Sequence, residues 1–255
     1  MDGDVAGAVD HSREIIGRLN ELIRVMKFQA LGPERILGFA AYDNWVKLHI
    51  PLAMTDVIQH RLFTRREFFE APQLADIRDL ITPDSVVLDA GANIGNHTVF
   101  FAHICKAKEV HAFEPTRVSF GILAKNIALN GLGNVRLHNQ ALGAGSGQAA
   151  LARWVEHNTG GTVLRAETAG DYPVVSIDSL GLTQLDFLKI DVEGMQEAVL
   201  AGSQETLARC KPMIWVELRS KRKEFETGHA AMAKLGYKLI RKIADSSDDF
   251  LFGPA

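Results

Sequence analysis

This sequence has few cysteines and a low net charge. The two cysteines, Cys105 and Cys210, lie far apart and outside any Cys-x-x-Cys spacing, which argues against a disulfide framework or a zinc site. We therefore expect two reduced thiols. A formal net charge of −3 over 255 residues is too small for a general nucleic-acid binder. We expect no nucleic-acid partner and the recognition of any ligand in a local pocket.

Long apolar segments and targeting signals are also missing. The acidic start of the chain lacks the basic and apolar regions of a signal peptide. No apolar run approaches the ~18 residues that a membrane span requires. A content of 47% hydrophobic and 23% charged residues is that of an ordinary globular protein. These features predict a cytoplasmic protein with one α/β domain and an appended segment.

Residues 1–75 form the appended segment, and they carry no motif that we can match. A helix with one apolar face is predicted there by the spacing of Ile15, Ile16, Leu19, Leu22, Ile23 and Met26. That face is expected to pack on something, and Gly32-Pro33 ends the helix. Further helical or irregular cover is predicted after it. We interpret residues 1–75 as an N-terminal helical extension that serves as a cap, a lid or a homodimer surface.

Residues 76–255 alternate between strand and helix patterns. Strands are predicted at residues 85–89, 109–114, 135–139, 186–191 and 213–217. Helices are predicted between them, and this alternation indicates an α/β fold with a doubly wound, mostly parallel sheet. A polar insertion covers residues 143–178, and two further strands near the C-terminus are expected to close the sheet as an antiparallel pair.

A glycine-rich turn follows the first of these strands. The strand ends at Asp89, and Gly91 and Gly95 precede a helix that begins near Asn96. Glycines allow a ligand to approach the backbone, and the free N–H groups of a helix start bind a carboxylate or phosphate. The Gly-x-x-x-Gly spacing departs from the pattern of dinucleotide binders, and Asn93 offers an amide to an amino-acid head group. The turn therefore favours S-adenosylmethionine.

An acid at the end of the second strand supports an adenosine-containing ligand. Glu114, followed by Pro115, is positioned to accept hydrogen bonds from ribose hydroxyls. Gln140 and Ala141 follow the third strand, where the adenine ring is expected. The predicted cofactor-binding residues are Asp89, Gly91, Ala92, Asn93, Gly95, Asn96, Thr98, Glu114, Pro115, Gln140 and Ala141.

The segment from Lys189 to Gly194 contains charged residues in and just after a strand that is predicted to be buried. A buried lysine requires a carboxylate, for which we choose Glu217 on the neighbouring strand. Asp191, Glu193 and Glu217 are expected to gather at the carboxyl ends of the strands. They are candidates for a general base or for the ligands of a divalent cation, and the alternative is a purely structural ion network.

Two histidines are further candidates for acid–base chemistry. His157 lies in the polar insertion, from which an imidazole could approach an acceptor hydroxyl. His97 lies one turn into the helix after the glycine loop. Histidines at such positions commonly have no catalytic role, so neither residue decides the function. The predicted catalytic set is Asp191, Glu193, Glu217 and His157.

With these residues in place, the chain resembles the FkbM family of methyltransferases. The matching segments are residues 87–98, 112–115, 158–161, 186–194 and 212–217, within a region of roughly 80–255. The resemblance implies a Rossmann-like class I methyltransferase domain that uses S-adenosylmethionine. It also implies methylation of a hydroxyl on a sugar or another small natural product.

Two other function classes remain open at this point. An NAD-dependent oxidoreductase would also place an acid at Glu114, but the chain lacks the second loop glycine and a Tyr-x-x-x-Lys pair. A non-catalytic adenosine-ligand binding module would keep the glycine turn without needing the three acids near Asp191.

Overall fold

The computed structural model describes residues 2–153, 163–167, 170–219, 224–246 and 248–255. Its strands are β1 (Ile36–Ala41), β2 (Asn44–His49), β3 (Val86–Ala90), β4 (Glu109–Phe113), β5 (Val135–His138), β6 (Ala141–Leu142), β7 (Gly147–Arg153), β8 (Val163–Glu167), β9 (Tyr172–Val175), β10 (Phe187–Ile190), β11 (Met213–Glu217), β12 (Tyr237–Lys242) and β13 (Asp249–Pro254). Its α-helices are α1 (Asp2–Gln29), α2 (Val57–Arg65), α3 (Ala71–Ile77), α4 (Asn96–Val99), α5 (Arg117–Leu129), α6 (Gln196–Ala201), α7 (Gln204–Cys210) and α8 (Glu224–Lys234).

A seven-stranded sheet forms the centre of the molecule, with the order β12-β13-β11-β10-β3-β4-β5. The five strands from β11 to β5 are parallel, and β13 and β12 close the sheet as the antiparallel pair that the sequence predicts. Every residue of β3 and β10 is buried, as expected for central strands covered by helices on both faces. The prediction of an α/β, mostly parallel sheet is therefore confirmed.

The two faces of the sheet bury separate apolar clusters. Val87, Phe187 and Trp215 pack against α4, α5 and the N-terminal extension. Their strand neighbours Leu88 and Leu188 point the other way and pack with α6, α7 and α8. The helix predicted to begin near Asn96 starts as α4 and continues as a π-helix, Phe100–Ile104.

A second sheet fills the polar insertion. Its four strands have the order β6-β9-β7-β8, with β6 parallel to β9 and the other pairs antiparallel. Strands β7, β8 and β9 lie within residues 143–178, and β6 directly precedes them.

The N-terminal extension contains a β-hairpin as well as helices. Strands β1 and β2 pair from Ile36 with His49 to Ala41 with Asn44. The prediction of a helical extension omitted this hairpin, because its turn residues, Tyr42 and Asp43, adopt positive φ without the Asn-Gly signal usual for such a turn.

Helix α1 presents its apolar face to solvent. Phe28 packs edge-on against Phe63 near the end of the helix, with ring centroids 5.8 Å apart. The side chains at the six apolar positions remain between 45% and 60% exposed. The expectation that this face packs on something is therefore not met within the described residues. None of the helices in the described residues combines the length and the apolar character that a membrane span requires.

Asparagine side chains on α5 join the hairpin to the glycine loop. Asn126 accepts a hydrogen bond from the His49 main-chain N–H at 2.5 Å and donates to the Ile94 carbonyl at 2.8 Å. Asn130 makes the same kind of pair with the N–H and carbonyl of Lys47. The side-chain amides of Asn126 and Asn130 therefore form hydrogen bonds with the main chain of β2, as a neighbouring strand would.

Asn126→Ala should destabilise the fold more than Asn130→Ala. Asn126 is fully buried, so its loss leaves main-chain groups of His49 and Ile94 without partners, at a cost of ~2–4 kcal/mol. Asn130 is half-buried, and water can replace its bonds, so ~1 kcal/mol is expected. Urea unfolding of both variants measures the difference. Equal losses would show that Asn126 does not hold the hairpin to the loop.

Candidate active site

A cleft opens at the carboxyl ends of β3, β4, β10 and β11. It has a volume of about 1250 Å³, its open mouth included. One half is lined by the glycine loop and by residues that follow β4 and β5, and the other half by acids, Arg219 and the extension. The carboxyl ends of parallel strands are the usual ligand site in open α/β sheets.

The glycine loop has a conformation that requires glycine. Gly91 has a φ of +84°, and a Cβ there would lie 1.8 Å from the carbonyl oxygen of Asp191. The main-chain N–H groups of Gly91 and Ala92 donate to the Phe113 carbonyl at 3.0 and 2.9 Å. The loop is therefore fixed between the ends of β4 and β10, and no side chain at position 91 fits between β3 and Asp191.

Glu114 lies at the end of β4 and lines the cleft. Its Oε1 accepts from the Thr116 N–H at 2.8 Å and from the Thr116 hydroxyl at 2.5 Å, and its Oε2 accepts from the Asn93 N–H at 3.0 Å. Burial raises the pKa of Glu114 to about 6, against the effect of these three bonds. Oε2 keeps acceptor capacity for a ligand hydroxyl.

The predicted cofactor-binding residues divide into two groups. Eight of them line the cleft, namely Gly91, Ala92, Asn93, Asn96, Glu114, Pro115, Gln140 and Ala141. Asp89, Gly95 and Thr98 lie behind its wall, where Asp89 accepts a 2.6 Å hydrogen bond from the Thr98 hydroxyl. The amide of Asn96 bonds to both the N–H and the carbonyl of Phe69, so it joins the loop to the extension.

Lys189 is buried among carboxylates other than the one that we predicted. Its Nζ lies 3.2 Å from Asp191 Oδ2 and 3.9 Å from Asp89 Oδ1. The prediction of a Lys189–Glu217 pair is wrong, because the sheet register places Trp215 opposite Lys189 on one side and Asp89 on the other. The Trp215 ring instead contacts the ammonium, with its centroid 5.6 Å from Nζ.

Arg219 pairs with the other two acids of the predicted catalytic set. Its guanidinium forms a two-pronged hydrogen bond with Glu193, which is buried, and its Nη2 lies 3.2 Å from Glu217 Oε2. We did not predict Arg219. The sequence contained a signal for Arg219, because it lies two residues after Glu217 at the end of a strand. Side chains two residues apart along an extended chain point to the same face.

The three acids meet as expected, but their charges differ. One carboxylate oxygen from each of Asp191, Glu193 and Glu217 lies within 4.8 Å of the others. Burial opposes ionisation of Asp191, but Lys189 outweighs it and holds the pKa of Asp191 below its usual range. Burial and the neighbouring Asp191 charge raise the pKa of Glu217 well above its usual range, against the attraction of Arg219. At neutral pH the cleft therefore presents an ionised Asp191 beside a protonated Glu217.

The extension supplies one wall of the cleft. Val57, Ile58 and Phe69 line it as apolar groups, and Glu70 reaches within 3.1 Å of His97 Nε2. The His97 ring stands edge-on against Trp215, with centroids 5.2 Å apart. Sequence patterns gave no sign of Glu70, because it lies in the segment without motifs. His157 lies outside the described residues.

The glycine loop, Glu114 and the charged segment all fall within one region that matches a known domain. Residues 89–239 match the model of the methyltransferase FkbM domain. The chain belongs to the FkbM methyltransferase family. The family is one of S-adenosylmethionine-dependent methyltransferases, so the predicted resemblance is confirmed.

Individual relatives of this FkbM-family chain are distant. It is 25% identical over 181 residues to Methyltransferase 1 of Beauveria bassiana (strain ARSEF 2860), covering 60% of this chain and 72% of that protein. It is 27% identical over 157 residues to Methyltransferase sdnD of Sordaria araneosa, covering 47% of this chain and 60% of that one.

A solved structure shares the fold of this FkbM-family chain. It is the methyltransferase FkbM from Methylobacillus flagellatus KT, with a TM-score of 0.52 and 17% identity. The match covers 92% of this chain and 60% of that chain. The chain therefore spans less than two thirds of the length of this structure and of the Sordaria relative.

Lys189→Met should make stability depend strongly on pH. Without the ammonium, burial is no longer opposed and the folded-state pKa of Asp191 rises above its unfolded value. A carboxyl group with a raised folded pKa loses stability as pH increases, so we expect a loss of ~3–5 kcal/mol at pH 8 and a smaller loss at pH 5. Urea unfolding at both pH values measures this effect, with the exposed Lys108→Met as the matched control. A pH-independent loss would mean that Lys189 contributes packing alone.

Proposed function

We propose that this chain transfers the methyl group of S-adenosylmethionine to a hydroxyl oxygen of a small molecule, such as a sugar or another natural product. The observation that carries this proposal is the position of Asp191, which is paired with the buried Lys189 at 3.2 Å and lies between a cofactor half and an apolar wall of one cleft. Such an arrangement offers a proton acceptor next to a pocket for an uncharged substrate.

The cofactor half of the cleft fits S-adenosylmethionine. Glu114 Oε2 has capacity for a ribose hydroxyl, and Gln140 and Ala141 line the side proposed for the adenine ring. The loop around Gly91 brings main-chain groups to the cleft wall without a side chain in the way. When bound, the cofactor supplies an electrophilic methyl group on a positively charged sulfur.

Asp191 is the residue that we assign as general base. Its side chain is 34% exposed and lines the cleft, whereas Lys189 is held behind it. A base of low pKa does not ionise a hydroxyl beforehand, so it accepts the proton as the acceptor oxygen attacks, typically contributing ~10²–10⁴-fold to rate. Alignment of the acceptor contributes more, with ~7–11 kcal/mol available from positioning.

Protein cations already balance the acids, which argues against the divalent-cation alternative. The guanidinium of Arg219 donates two hydrogen bonds to Glu193 and also contacts Glu217. Lys189 contacts Asp191. A divalent cation would have to compete with these two cations for the carboxylate oxygens. We therefore propose that Arg219 arranges Glu193 and Glu217 for substrate binding.

The extension forms the acceptor wall in this proposal. Val57, Ile58 and Phe69 offer apolar contact, and the Glu70–His97 pair offers hydrogen-bonding groups at its inner end. A small molecule with an apolar face and hydroxyl groups suits this wall. The expected absence of a nucleic-acid acceptor stays a prediction.

Binding of S-adenosylhomocysteine separates cofactor contacts from catalytic ones. We expect Glu114→Ala to weaken its affinity ~10–100-fold, because the mutation removes buried acceptors for ribose hydroxyls. Asp191→Asn should change the affinity less than ~3-fold, since its role is proton transfer. Isothermal titration calorimetry measures both, with the exposed Asp84→Asn as control.

Complete loss of binding in Asp191→Asn would make Asp191 a cofactor anchor instead of a base. Binding of NAD by the wild-type protein, without binding of S-adenosylhomocysteine, would favour the oxidoreductase alternative.

Transfer of a labelled methyl group tests the reaction itself. We expect the wild-type protein, given trideuteromethyl-labelled S-adenosylmethionine and host small-molecule extract, to place the label on an oxygen. Mass spectrometry detects the product and its fragments identify the methylated atom. Asp191→Asn should lower the yield ~10²–10⁴-fold.

A label on nitrogen or carbon would contradict the proposed oxygen acceptor. No labelled product from wild-type protein that binds S-adenosylhomocysteine would favour a non-catalytic binding module. Turnover lost after exhaustive chelation and restored by Mg²⁺ would contradict the role given to Arg219.

A further inference from the structure

The outward face of α1 is an apolar stripe on an otherwise polar helix. Its six members are between 45% and 60% exposed, namely Ile15, Ile16, Leu19, Leu22, Ile23 and Met26. Together they present on the order of 500 Å² of apolar surface, the size of the largest patches on monomeric proteins, which are often functional.

The contacts of α1 with the rest of the chain lie at its C-terminal end, because residues 10–23 are all exposed, whereas Arg24, Val25 and Phe28 are half-buried. Phe28 packs against Phe63, and the Arg35 guanidinium lies over the Phe28 ring, 4.5 Å from its centroid. Arg35 also donates to the Phe28 carbonyl at 3.0 Å. These contacts anchor the end of α1, and the stripe lies in solvent.

The stripe follows a heptad repeat. With Ile16 and Ile23 at position a, Leu19 and Met26 fall at position d, and Ile15 and Leu22 fall at position g. In the sequence the same register places Val9 at position a, Val5 at position d and the polar Ser12 at position d. β-Branched residues at position a with leucine at position d favour parallel two-stranded coiled coils.

The polar face of α1 does not suit a membrane surface. Its arginines pair with acids one turn away, as Arg13 with Asp10, Arg18 with Glu14 and Arg24 with Glu21. Helices that lie on anionic lipid instead carry an excess of lysine and arginine on that face. The charge on α1 is balanced, which leaves a protein as the fitting occupant of the stripe.

We propose that α1 pairs with α1 of a second copy of this chain as a parallel two-stranded coiled coil. The helix spans 28 residues, the length of four heptads. A symmetric pair would bury on the order of 1,000 Å², which reaches the lower bound for a specific interface. In this proposal the extension has two roles. Residues 57–70 form one wall of the cleft, and α1 forms the dimer contact.

Light scattering on the full-length chain at micromolar concentration tests the proposal. We expect a dimer for the wild-type protein and a dissociation constant at least ~30-fold weaker for Ile16→Glu, since a charge would be buried at position a. Gly17→Glu is the matched control. It places the same side chain at the next position, where an added Cβ meets no atom within 4 Å, and it should remain a dimer.

Folding and helix orientation are checked separately. Ile16 has its face in solvent within one chain, so Ile16→Glu should keep its S-adenosylhomocysteine affinity within ~2-fold of the wild-type value. Ser12→Cys should cross-link to itself under mild oxidation, because a parallel pair brings equal d positions together. The wild-type protein should not cross-link.

Four outcomes would overturn the proposal. A wild-type monomer at tens of micromolar would remove the second copy, and a dimer that survives Ile16→Glu would move the interface elsewhere. Failure of Ser12→Cys to cross-link would contradict the parallel pairing. Binding of a monomer to phosphatidylserine vesicles, abolished by Ile16→Glu, would assign the stripe to a membrane instead.

Discussion

A single buried ammonium group organises the chemistry of this protein. Lys189 lies within β10, where water cannot solvate it, and its charge is compensated by Asp191, just after the end of that strand, and by Asp89 on β3. A buried charge of this kind is stable only while its partners stay ionised and in place. Lys189 therefore fixes both the position and the charge of the acid that faces the cleft.

The same strand ends bring the two halves of the cleft together. Gly91 approaches the carbonyl of Asp191 so closely that a side chain could not fit between them. The loop that lines the cofactor half is thus in direct contact with the residue that we assign as base. A shift of either strand end would move both, which explains why the glycine turn and the charged segment occur together in this chain.

Much of the domain could be predicted from sequence, because its signals are local. Strand and helix periodicity predicted the order of the central elements, and glycine spacing with Glu114 predicted the loop and the acid that line the cleft. The convergence of Asp191, Glu193 and Glu217 followed from the rule that ligands bind at the carboxyl ends of parallel strands.

What sequence did not reveal depends on contacts between distant segments. The partner of Lys189 is decided by sheet register, which placed Trp215 and not Glu217 beside it. Glu70 approaches His97 only after the extension folds back over the cleft. The hairpin of the extension was missed because its turn lacks the usual residues, and the exposure of α1 cannot be read from an amphipathic pattern alone.

The function proposed for the cleft depends on one ionised and one protonated carboxyl group at neutral pH. Carbon-13 NMR titration of labelled aspartate and glutamate carboxyl groups tests this most directly, with signals assigned through Asp191→Asn and Glu217→Gln. We expect Asp191 to be ionised at pH 7 and Glu217 to titrate well above the ordinary glutamate value of about 4.3. Two carboxyl groups that both titrate near their ordinary values, or a protonated Asp191, would contradict it.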